Sequence, residues 1–208
     1  MTNRTSRALA LLAVLGALGA GCFGRGVQPS FYALRSGAGP AAGPPLAARA
    51  DLGLVVGPLE FPRYLDRPEV VTRDGANRLG VSGGSRWGGS LRDDVLRVVA
   101  DDLGRLLGTA QVVTYPTEPR FPAHYRIALD VREFEGVAAQ RVVLRAIWTI
   151  ADATSGRALA VEETRVEEAV ASAASEDLVA AQSAALGAMS RAIALRVDAL
   201  ASRRTQLR

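Results

Sequence analysis

Hydrophobic and polar positions change their spacing several times along the chain, and each change marks an element. Tyr125, Ile127, Leu129 and Val131 alternate with Arg126, Ala128, Asp130 and Arg132, the two-residue period of a strand with one face on a core. Val142, Leu144, Ala146, Trp148 and Ile150 repeat that period, and Leu159 to Glu168 forms a third segment with an acidic end. Turns at Gly136 and at Thr154-Ser155-Gly156 separate the three, which predicts an antiparallel meander. Upstream, Leu52-Gly53-Leu54-Val55-Val56 is an apolar run closed by Gly57 and Pro58, as for a buried strand. Phe31 to Leu34, Val70 to Arg73 before a turn at Asp74-Gly75, and Gln111 to Tyr115 read as shorter strands.

Two stretches follow the helical period instead. Trp87, Leu91, Val95, Val98, Val99, Leu103, Leu106 and Leu107 recur at three- and four-residue steps, while Arg92, Asp93, Arg97, Asp101 and Arg105 face away. This predicts a helix from Ser85 or Ser90 to Leu107, with Ser90 and Asp93 as a capping pair and Gly108 as the left-handed stop. The second has Ser175 as N-cap, Glu176 and Asp177 at its positive end, and Leu178, Leu186, Met189, Ile193, Val197 and Leu200 on one face. The expected fold class is α+β, a mainly antiparallel sheet with two amphipathic helices packed on one face. Ser36 to Ala47, rich in Gly, Ala and Pro, reads as a loop or linker inside the domain, and Phe61 to Leu79 as an irregular polar loop pinned by Pro62 and Pro68.

The N-terminus reads differently from the rest. Arg4 and Arg7 precede an apolar stretch from Ala8 to Leu18, too short to span a bilayer comfortably, and Gly19, Ala20 and Gly21 precede Cys22, the only cysteine. That arrangement predicts a lipoprotein signal peptide over 1–21, a lipid-modified Cys22, a tether over 22–30 and a single folded domain over 31–208. Ordinary secretory cleavage with a stray thiol is the alternative. Removing the 21 leader residues leaves 187, and the loss of Arg4 and Arg7 takes the 25 basic side chains to 23 against 21 acidic ones. The mature chain is nearly neutral, its arginines are scattered among Asp and Glu, and a nucleic-acid partner is not expected. With Cys22 acylated no intramolecular disulfide can form, so stability has to come from a packed core.

Candidate chemistry is sparse. One histidine and one cysteine give no set of ligands at metal spacing, and there is no G-x-S-x-G around a serine. No catalytic residue, metal site or cofactor is expected beyond the covalent lipid. His124 is read as a loop residue before a strand rather than a general base, and Gly83-Gly84-Ser85 as a joint rather than a phosphate cradle. Asp130, Glu133 and Glu135 read as solvated strand carboxylates. Glu162, Glu163, Glu167 and Glu168 read as an acidic edge that discourages strand pairing.

The segment Gly57 to Arg73, with Tyr64-Leu65-Asp66-Arg67-Pro68 at its centre and Asn77-Arg78-Leu79 and Arg86-Trp87 after it, resembles the ABC-type transport auxiliary lipoprotein family. The resemblance extends through Phe31 to Leu34, Tyr125-Arg126-Ile127, Phe134 and Trp148, and departs at Gly88-Gly89-Ser90-Leu91. It implies a non-catalytic lipoprotein, working beside an MCE-domain protein and ABC transporter subunits in lipid movement between the two membranes. The residue after Cys22, Phe23 rather than Asp, resembles outer-membrane sorting, which places the anchor on the periplasmic face of the outer membrane. The residues read as partner-binding are Tyr64, Asp66, Arg67, Arg73, Asn77, Arg78 and Trp87, with the alternative that Asp66 and Arg67 or Arg73 fasten the loop to its own domain. A homo-oligomer stays open. The other readings are a structural lipoprotein assisting outer-membrane assembly and a periplasmic lipid carrier, which needs a long apolar cavity between sheet and helices.

Overall fold

The structure, a computed structural model, describes residues 28–39 and 42–206. The leader, Cys22 and most of the tether lie outside them. Nine strands and two helices follow in the order β1 (Ser30–Tyr32), β2 (Leu54–Glu60), β3 (Glu69–Arg73), β4 (Leu79–Trp87), α1 (Leu91–Leu107), β5 (Val112–Thr114), β6 (Tyr125–Glu133), β7 (Gly136–Val137), β8 (Arg141–Asp152), β9 (Ala158–Ala169) and α2 (Ser175–Gln206). All nine strands join one sheet.

The expected meander is present: β8 pairs antiparallel with β6 on one side and β9 on the other, Ile127 opposite Ile150 and Leu144 opposite Val166. The sheet as a whole is mixed, not mainly antiparallel, because β1–β4, β2–β5, β2–β6 and β3–β7 pair in parallel. Alternation tells which side chains face the core but not the direction of the neighbouring strand. Between β2 and β6 the chain makes a crossover through α1, which returns it to the same end of the sheet and forces parallel pairing. β2 also continues through Gly57 and Pro58, where the register with β6 shifts between Val56 and Leu59 instead of the strand ending.

α1 begins at Leu91. The Ser90 side chain accepts from the Asp93 N–H at 3.2 Å, and Gly108 closes the helix with φ 62°. Trp87 is therefore not on the helical stripe; it ends β4. α2 starts at Ser175 itself, whose Oγ lies 2.8 Å from Ser85 Oγ rather than capping a helix. Nor is α2 a one-sided amphipathic helix. Leu186, Met189, Ile193 and Val197 are buried, and so are the polar Ser183 and Ser190 of the same helix. By length and composition Ser175–Arg204 could cross a membrane, but 67% of its apolar window is buried inside the fold.

The cover on that helix is the Gly/Ala/Pro stretch read as a linker. It is a strap laid over both helices. The Arg35 N–H donates to Ser183 Oγ at 3.1 Å, the Gly37 N–H to Asp102 at 2.6 Å and the Leu46 N–H to the Leu106 carbonyl at 2.7 Å. Arg191 donates to the Pro44 carbonyl at 2.7 Å. Asp102 is wholly enclosed; burial pushes its carboxyl above the usual range against the pull of the Gly37 N–H and Arg105. Small residues let the strap approach: a Cβ on Gly187 would lie 2.5 Å from the Ala38 carbonyl oxygen and 3.1 Å from Ala42 Cβ. Gly187→Ala is expected to cost about 1–3 kcal/mol by lifting the strap, read as a lower midpoint in urea unfolding.

Candidate functional site: a partner-docking face

The loop between β2 and β3 is fastened from below and exposes its top. Leu65 is buried, its N–H bonds the Pro62 carbonyl at 3.0 Å, and Phe61 packs edge-on against Phe134 with ring centroids 6.3 Å apart. At the far end the Trp87 N–H bonds the Pro68 carbonyl at 2.8 Å. Between these fixings Tyr64, Asp66 and Arg67 stand outward.

Behind the loop lies a carboxylate that the sequence reading took as solvated. Glu135 is only 5% exposed. One of its oxygens accepts from Tyr64 Oη at 2.8 Å and from the Phe134 N–H at 3.2 Å. The other accepts from Arg73 Nε at 3.0 Å and from a second guanidinium nitrogen. Arg73 also donates to the Ala76 carbonyl at 3.1 Å. Burial alone pushes the Glu135 carboxyl up, but the bonds from Arg73, Tyr64 and Phe134 outweigh it and hold it below the usual carboxylate range. Tyr64 is pushed well above the usual phenol value, first by burial and then by Glu135. At neutral pH the Glu135 carboxylate and the Arg73 guanidinium are both charged and bonded to one another, and Tyr64 keeps the proton that it donates to Glu135. It is a fastening.

Beside this fastening, three large hydrophobic side chains, Tyr64, Leu79 and Val81, are exposed. Arg73 pairs with Leu79 and Val71 with Val81 across the β3–β4 hairpin, so these side chains share one face of the sheet. Tyr64 is 37% exposed, and Leu79 and Val81 are also uncovered. Hydrogen bonds run from Tyr64 through Glu135 to Arg73, and the strand register sets Leu79 and Val81 on the same face as Arg73, so exposed aromatic and aliphatic groups lie beside an ion pair that is already neutralised.

The residues singled out in the sequence fall into three groups. Tyr64 and Arg73 meet on Glu135. Asp66, Asn77 and Arg78 are exposed, the last two at the tip of the hairpin, and Arg67 donates to Glu69 at 2.9 Å on the surface. Trp87 is buried in the core and does not lie on the exposed face; its burial follows from ending a strand on the sheet's inner side. Arg73 thus does what the alternative reading described, fastening the loop region to its own domain. Glu135 was missed because the strand alternation was carried past its end: β6 stops at Glu133, and the break before Gly136 turns Glu135 inward. The adjacent Phe134 and Gly136 were the available signal.

Elsewhere, His124 Nδ1 accepts the Gly53 N–H at 2.9 Å, pinning the chain before β6. Gly83 and Gly84 lie in β4 where its register against β3 shifts, not at a helix N-terminus. Among the described residues no group of three or more His, Cys, Asp or Glu could hold a metal ion.

The fold is similar to that of a Xanthomonas campestris protein of the DUF330 family, with a TM-score of 0.66 at 20% identity, covering 85% of this chain and 99% of that one. An uncharacterized protein of known crystal structure is similar at a TM-score of 0.65 and 17% identity, covering 82% of this chain and 99% of the other. No curated protein matches the chain. The model of the ABC-type transport auxiliary lipoprotein component family matches residues 32–194, from the end of β1 to the middle of α2, and the chain belongs to that family.

Proposed function

We propose that this auxiliary lipoprotein is a non-catalytic adaptor of an MCE/ABC-type lipid transport system. In this reading it is anchored through Cys22 on the periplasmic face of the outer membrane and docks its transport partner through the Tyr64–Leu79–Val81 face. The observation that carries the reading is the exposure of Tyr64, Leu79 and Val81 on and beside a hairpin locked from behind by Glu135 and Arg73. Protein partners are bound by such fixed aromatic and aliphatic groups on a preformed surface. The space between sheet and helices argues against a lipid carrier. A void wide enough for an acyl chain leaves accessible surface on its lining, whereas Leu103, Leu106, Ala146, Ile150, Met189 and Ile193 have none.

The test is affinity purification of the C-terminally tagged protein from solubilised membranes, with mass spectrometry of what accompanies it. An MCE-domain protein and ABC subunits are the expected partners, and Cys22→Ala is expected to release this lipoprotein itself from the membrane fraction. Leu79→Asp with Val81→Asp is expected to abolish their recovery while leaving the protein folded with a cooperative melting transition, since both side chains are partly exposed at the surface. Recovery of outer-membrane assembly factors instead, or undiminished recovery with the double variant, would refute the reading.

A further inference from the structure

A second surface feature lies where the chain enters the fold. A groove of about 850 Å³ runs between the strap and α2, with Phe31 and Arg35 on one wall and Glu168, Glu176, Asp177 and Ala180 opposite. Phe31 is 66% exposed. The strap descends along this groove: Gly39 is packed against Ala184, eight residues and about 12 Å beyond Glu176 on the helix. The entry point, β1, therefore stands at the end where the carboxylates gather.

These carboxylates differ from their neighbours. Glu162, Glu163 and Glu167 of β9 are each paired with an arginine, at 2.9, 3.5 and 2.9 Å. Glu168 and Glu176 enter no ion pair among the described residues, and Asp177 is bonded to the Ser172 hydroxyl. Among the described residues β1 pairs only with β4, and no described strand lies on its other edge. The chain before β1 reads Cys22-Phe23-Gly24-Arg25-Gly26-Val27, with one cation flanked by glycines and two apolar side chains. Ser30 is five residues beyond Arg25, a reach of about 17 Å.

We propose that this groove is the docking site of the chain's own tether. Arg25 meets Glu168 and Glu176, while Phe23 and Val27 cover the apolar surface beside Phe31. The inference rests on the lipid-anchored reading of Cys22. Undocked, the tether lets the body stand about 27 Å from the acylated residue; docked from Phe23 onward, it holds Cys22 at the groove and draws the body against the membrane. The groove thus sets how far the partner-docking face reaches from the membrane, in two positions that salt and competing cations shift.

The test uses the full-length lipoprotein in detergent, with Gly26→Cys and Ala180→Cys introduced. Acylation consumes the Cys22 sulfur, so these are the only free thiols, and oxidation reports their encounter. The expected result is an intramolecular disulfide whose formation slows about fivefold in Arg25→Glu and recovers when Glu168→Arg and Glu176→Arg are added. A rate indifferent to both changes overturns the proposal, and disulfides between molecules would assign the groove to a second copy instead. The mass of the N-terminal peptide reads acylation separately, so a failure of the anchor is distinguished from a failure of docking.

Discussion

Replacing Glu135 with alanine is expected to destabilise the protein by about 3 kcal/mol, measured by urea unfolding at neutral pH. The loss comes from what is left behind. Arg73 keeps a half-buried guanidinium without its carboxylate, Tyr64 loses the acceptor of its hydroxyl, and the Phe134 N–H loses a side-chain partner. Partial exposure of Arg73 keeps the cost at the lower end of what removing one member of a buried pair entails. The pH dependence has a defined sign. The folded carboxyl lies below its unfolded value of about 4.3, so its contribution is complete above that pH and is lost as pH falls through the folded value. Glu135→Ala should therefore flatten part of the acid limb of the stability curve. A variant as stable as the parent, with an unchanged acid limb, would show that the fastening contributes nothing.

Trp148→Ala is expected to cost more, about 3–5 kcal/mol. The indole is 1% exposed at the centre of β8, and its Nε1–H donates to Thr164 Oγ1 on β9 at 2.9 Å. Truncation opens a cavity that the paired strands on both sides of β8 prevent from collapsing. It also leaves a half-buried threonine hydroxyl to find another partner. Trp148→Phe, which fills most of the volume but cannot donate, is expected to lose about 1–2 kcal/mol. If the two variants unfold at the same urea concentration, volume is not what the tryptophan supplies.

Much of this architecture is legible locally because its causes are local. The period of two over Tyr125–Val131 and Val142–Ile150, the turn at Thr154 and Ser155, and Ser90 and Gly108 at the ends of α1 each act within a few residues, and the structure keeps them; Gly136, read as a turn, instead pairs with Val142 as strand β7. The acidic tail of β9 was readable in the same way, and it does lie on an edge strand. The strand from Leu79 to Trp87 was not legible. Its glycines and irregular exposure erase alternation, and Trp87 happens to fall in phase with the helical stripe that follows.

The candidate site divides along the same line. Local sequence and the family pattern drew attention to Tyr64 and Arg73, but what joins them is Glu135, more than sixty residues away in the chain. The sequence by itself determined the three long strands of the meander, the two helices and the family, since these depend on spacing and residue identity. Only the tertiary structure decided the parallel pairings, the conversion of a Gly/Ala/Pro stretch into a strap, and the inward turn of Glu135. The physical reason is that each depends on which distant surface a segment meets: a crossover sets strand direction, a small-residue helix face admits a backbone, and a buried carboxylate persists only where an arginine and a tyrosine arrive from elsewhere to bond it.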